Sequence, residues 1–112
     1  MQKSSLTALA RQQLKTATEA SSGRSADTVY GGHERVLRQT VIALASGKRL
    51  EEHDSPGEAT VHVLVGRIRL SSGEDSWEGS PGDLLIVPPA PHRHAVEALE
   101  DASFLLTVAK RS

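Results

Sequence analysis

Hydrophobic and polar positions divide the chain into a short helical stretch and a long run of strand-like segments. In residues 5–20, Leu6, Leu9, Ala10, Leu14 and Ala17 recur at helical spacing, with Gln, Lys and Arg between them. Ser4 or Ser5 can cap this helix. Its apolar stripe is thin, so it must lie on something, either its own domain or a partner subunit. Ser21-Ser22-Gly23-Arg24-Ser25 breaks it. From Thr28 onward the period is that of strands. Val36–Ala45 is apolar enough for a buried strand, and Thr60–Val65 and Leu84–Val87 read the same way. In residues 67–70, Ile68 and Leu70 alternate with Arg67 and Arg69, which predicts one wet face. Residues 71–75 make a hairpin loop, a short strand surrounds Trp77, and Gly79-Ser80-Pro81-Gly82 is a tight turn. The segments 94–99 and 103–109 close the series.

One helix followed by about seven short strands predicts an all-β antiparallel sandwich or barrel. No helix follows a strand, which excludes parallel βαβ units. Residues 1–27 read as an N-terminal helix and linker, and residues 28–112 as the barrel domain.

Composition narrows the function classes. The chain has 112 residues, enough for one domain, and no cysteine, which excludes disulfides and thiolate chemistry. Its formal charge of -1 gives no drive toward nucleic acid or an anionic membrane, and no apolar run reaches transmembrane length. A cytoplasmic, soluble protein is expected. Residues 1–50 carry eight Lys/Arg against three Asp/Glu, and residues 51–112 five against eleven. That asymmetry fits two differently solvated faces, or attraction between copies.

Two glycine-anchored stretches carry the candidate chemistry. The first runs from Gly47 through His53 to Gly66; the second runs from Gly82 through Pro88 to His92 and His94. Together they resemble the paired motifs of the cupin superfamily over residues 36–109. The resemblance implies a double-stranded β-helix, or jelly-roll barrel, here preceded by one helix. It also implies a site at the barrel mouth, and commonly a homodimer. Metal-binding cupins hold their ion with histidines and a glutamate from these motifs. Here Ser55 stands at the second histidine, Ala59 at the glutamate and Ala90 at a motif glycine.

Two readings of the site stay open. In one, His53, His92 and His94 form a three-imidazole metal site, completed by Glu58, Glu51 or water. Such a donor set suits Zn, Fe, Mn or Ni in an oxygenase, isomerase or decarboxylase. In the other, the histidines line a polar pocket that binds a small molecule without catalysis. The missing ligands favour the second. Counting by twos from His53 puts His62 on the opposite face, where it packs at a subunit interface. His33 reads as a turn residue, and Trp77 as core rather than a stacking platform. Ser55 has no nucleophile elbow around it, and no phosphate loop matches.

Overall fold

The computed structural model describes residues 2–52, 57–88 and 93–110, with Glu52 described in its backbone only. Helix α1 spans Leu6–Glu19, and Ser5 caps it by accepting a hydrogen bond from the Ala8 N–H at 3.2 Å. Nine strands follow: β1 (Arg24–Tyr30), β2 (Leu37–Leu44), β3 (Arg49–Glu52), β4 (Gly57–Val65), β5 (Ile68–Ser72), β6 (Asp75–Gly79), β7 (Leu84–Ile86), β8 (His94–Ala98) and β9 (Ala102–Lys110). They form two antiparallel sheets, one ordered β1-β2-β9-β4-β7 and the other β3-β8-β5-β6. This is the expected jelly roll behind one helix.

Two strands exceed the sequence expectation. Strand β1 starts at Arg24, and β3 occupies part of the polar Gly47–Gly57 segment. Both are edge strands. Arg-Ser-Ala-Asp and Arg-Leu-Glu-Glu carry almost no apolar period, because an edge strand buries little on either face.

The core lies between the sheets. Ile42 and Leu44 of β2, Val61 and Val63 of β4, and Phe104 of β9 meet Ile68, Leu70, Val96 and Ala98 from the second sheet. Alternation sends the intervening residues outward. Val41, Ala43 and Ser103 therefore face α1, which buries Ala10 and Ala17 completely. The Ser103 hydroxyl donates to the Ala10 carbonyl at 2.8 Å, pinning the helix to the outer face of the five-stranded sheet. The thin stripe is thus matched to its own domain.

Gly66 makes the β4–β5 turn at φ 76°, where an added Cβ would lie 2.1 Å from the Asp101 carbonyl oxygen. Only glycine fits there. The turn closes the end of the barrel opposite the candidate site. No helix among the described residues is long and apolar enough to cross a membrane.

Candidate site at the open end of the barrel

Strands β5, β6 and β8 bring three polar residues to one rim. His94 opens β8, Ser72 closes β5, and Asp75 opens β6; Ser72 is the Cα partner of both His94 and Asp75. Alternation with Val96 and Leu70, which are in the core, turns His94 and Ser72 toward the barrel interior. From the facing sheet, Arg38, Val108 and Ala59 form one register row at the same end. Arg38 lies on the inner side by alternation with Ile42 and Leu44. Two stacked sheets stand ~10 Å apart.

His94 is 5% exposed. Its Nε2 lies 2.7 Å from the Pro88 carbonyl oxygen. A carbonyl only accepts, so Nε2 carries a proton and donates, which leaves Nδ1 as the ring nitrogen that can face a ligand. The bond ties the start of β8 to the end of β7. Ser72 is equally buried, and its hydroxyl has no hydrogen-bond partner among the described residues. An orphan buried hydroxyl costs about 1–3 kcal/mol. Arg38 is half-buried and makes no ion pair or side-chain hydrogen bond among the described residues. The rim therefore offers an imidazole, a hydroxyl without a partner among the described residues, and a guanidinium.

Of the expected site residues, His94 takes an inward position, while His53 and His92 lie outside the described residues. Glu52, next to His53, is the Cα partner of His94. The two carboxylates expected to complete a metal site lie on the outward parity, although Glu51 shares the lining of a pocket of about 360 Å³ with His94. Glu51 alternates with the inward Leu50 and pairs with Arg49 at 3.6 Å on the outer surface. Glu58 alternates with inward Ala59 and is exposed. Period-two geometry sends both the wrong way. No group of three metal-ligating side chains occurs among the described residues, which leave out His53 and His92.

Trp77 corrects a second expectation. It pairs with Leu70 but sits on edge strand β6 and is 43% exposed rather than core. The edge strand has no outer neighbour to cover a ring that size. His62 lies on the outer face of β4, between Leu84 and Leu105 in register, opposite in direction to the core side chains. His33 forms a turn whose carbonyl accepts from Lys110 Nζ at 3.2 Å.

Ser72 and Arg38 were not among the sequence candidates, yet both had a signal. Each breaks an apolar alternation on its inward parity, Ser72 after Ile68 and Leu70, Arg38 before Ile42 and Leu44. A polar side chain where the period demands an apolar one marks a core edge or a site.

Comparison with known proteins agrees with this architecture. A family model described as "Cupin domain" matches residues 40–108. A search of curated proteins gives no significant match. Among solved structures, a protein of unknown function from Streptococcus pyogenes is 26% identical, with TM-score 0.71 over 83% of this chain and 79% of that one. A cupin superfamily protein from Desulfitobacterium hafniense is 19% identical, with TM-score 0.70 over 79% and 78%. An HTH_3 family transcriptional regulator from Vibrio cholerae is 18% identical, with TM-score 0.67 over 80% of this chain and 52% of that one.

Proposed function

Since the chain belongs to the cupin family, whose model spans more than half of it, we propose that it binds a small organic acid at the open end of its barrel, without catalysis. One observation carries this reading: the buried Ser72 hydroxyl has no partner among the described residues and stands beside an imidazole whose Nε2–H is committed to Pro88. A ligand that bonds this hydroxyl recovers the cost of its burial. A ligand hydroxyl, which can donate or accept, suits Nδ1 of His94. Across the barrel, Arg38 supplies the charge that selects an acid, since a guanidinium forks onto a carboxylate. Hydroxy acids combine both features. None of these groups is an activated nucleophile, and none sits within a base–orienter chain, which argues for binding rather than turnover.

A metal-holding form of the same rim is the second reading, an oxygenase, isomerase or decarboxylase using His53, His92 and His94. The observation in its favour is the Nε2–H bond to a carbonyl, the arrangement that leaves Nδ1 of a histidine free to ligate. Elemental analysis of untagged protein separates the two. The binding reading expects substoichiometric metal; one equivalent lost on His94→Ala would move the assignment to a metalloenzyme.

The test of ligand class is a thermal-shift panel of small organic acids, their amides and neutral polyols. At least one acid should raise the unfolding midpoint of the native chain. The same acid should have little effect on Arg38→Gln or Ser72→Ala. Equal stabilisation of all three proteins would remove the site from the barrel.

A further inference from the structure

The outer face of the four-stranded sheet changes character toward the open end of the barrel. One register row reads Arg49, Glu97, Arg69, Glu78 across every strand. Its signs alternate, and Arg69 pairs with both Glu97 and Glu78, at 3.7 and 3.4 Å. Three of the four members thus hold one another, and Arg49 at the end of the row is left to Glu51 at 3.6 Å.

The next outward row toward the mouth reads Glu51, Ala95, Ser71, Ser76. Its two central side chains are small, and Gly73, two residues beyond Ser71, adds none. Between the long side chains of Arg49 and Arg93 this leaves a groove of about 360 Å³, with Glu51, Ser71 and Ala95 in its lining. Parity sets it outside the barrel, because Ser71 and Ala95 alternate with the inward Ser72 and Val96. The two arginines stand on adjacent strands four register positions apart, ~13 Å along the strands, and flank the groove from opposite ends. The Arg49–Glu51 pair is exposed on both sides and so holds its members loosely. Arg93 is exposed and makes no ion pair or side-chain hydrogen bond among the described residues. The half-buried Ser71 hydroxyl makes no hydrogen bond among them either. The groove therefore sets two guanidiniums and a hydroxyl against one carboxylate.

We propose that this outer groove binds a phosphate group, free or as the monoester of a small molecule. Glu51 shows what a carboxylate does here: it meets Arg49 and makes no pair with Arg93. A phosphate group carries about -1.5 to -2 charges and three strong acceptor oxygens. Those oxygens point in different directions, so they can accept from both guanidiniums and the Ser71 hydroxyl together. A planar carboxylate is filled by a single guanidinium fork. With Glu51 turned aside to solvent, the two arginines match the charge of a dianion. The volume is at the small end of ligand pockets, which fits a phosphorylated small molecule rather than a protein segment. The groove is separate from the barrel interior, and the proposal is independent of what that interior binds.

Calorimetric titration of the full chain at low ionic strength tests this, with inorganic phosphate, glucose 6-phosphate and acetate as probes. The phosphate compounds should bind, and acetate at the same concentration should not. Arg49→Gln and Arg93→Gln should each weaken phosphate binding about tenfold or more, with unchanged circular dichroism spectra, since both side chains are on the surface. Glu51→Gln removes the built-in competitor and should tighten it about two- to fivefold. Arg38→Gln and Ser72→Ala, inside the barrel, should leave it unchanged. The tighter of the two phosphate probes names the source, ester or free ion, and either result supports the site. No phosphate binding at millimolar concentration, or acetate binding as tightly, would overturn the proposal. So would a phosphate affinity that falls with Arg38→Gln and ignores Arg93→Gln, which would move the anion into the barrel.

Discussion

Replacing Ser72 by alanine should make the ligand-free protein more stable, the reverse of the usual effect of a core substitution. Ser72 is 5% exposed, and its hydroxyl finds no partner among the described residues. Folding therefore strips that hydroxyl of water and gives it no replacement among the described residues, a penalty of about 1–3 kcal/mol. Alanine removes the oxygen and leaves a gap smaller than a methyl group, whose cost is at most about 1 kcal/mol. The net expectation is a gain of about 0.5–2 kcal/mol. For a domain of this length, each kcal/mol moves the melting temperature by about 4 °C or slightly more, so the midpoint should rise by roughly 2–8 °C. Urea melts read by circular dichroism would show a higher midpoint at unchanged slope. The same variant should lose the stabilisation that an organic acid gives the native chain. A Ser72→Ala protein less stable by 1 kcal/mol or more would mean that the hydroxyl is already satisfied, and the reasoning behind the site would fail.

Two further outcomes follow from the packing and the surface. Phe104 is fully buried at the centre of the core cluster, so Phe104→Ala should cost about 3–5 kcal/mol, read as a loss of most cooperative unfolding amplitude. The Glu78 carboxyl is held below its ordinary value of 4.5, chiefly by its hydrogen bonds from Arg67 and then Arg69. A carboxyl depressed in the folded state adds stability that is present above its unfolded value and is lost as pH falls through the folded one. The stability difference between native chain and Glu78→Gln should thus be full near pH 6 and close in acid; a gap that widens below pH 4 would contradict the ion-pair ladder.

Much of this architecture could be read from residue order, and its gaps have physical causes. Apolar alternation located β2, β4, β5 and β9 because their inward residues build the core. Ser4 and Ser5 both announce the helix start, and the Ser5 hydroxyl performs the capping. Edge strands β1 and β3 escaped because an edge buries too little to impose a period. Parity with Leu50 and Ala59 turns Glu51 and Glu58 to the outer surface. A lone Trp in a small aliphatic chain reads as core, yet the edge strand leaves the Trp77 ring half in water. Ser72 and Arg38 needed the opposite habit, that of asking why a polar side chain stands on an apolar parity.

The sharpest single test is a long-range nitrogen–proton correlation spectrum of the protein with ¹⁵N-labelled histidine, His94 being assigned by its replacement. The bond to Pro88 requires a proton on Nε2, and an organic acid that raises the melting temperature should shift His94 Nδ1 most among the histidine nitrogens. A protonated Nδ1 with a bare Nε2, or a bound acid that leaves the His94 nitrogens unmoved, would contradict the barrel-end site.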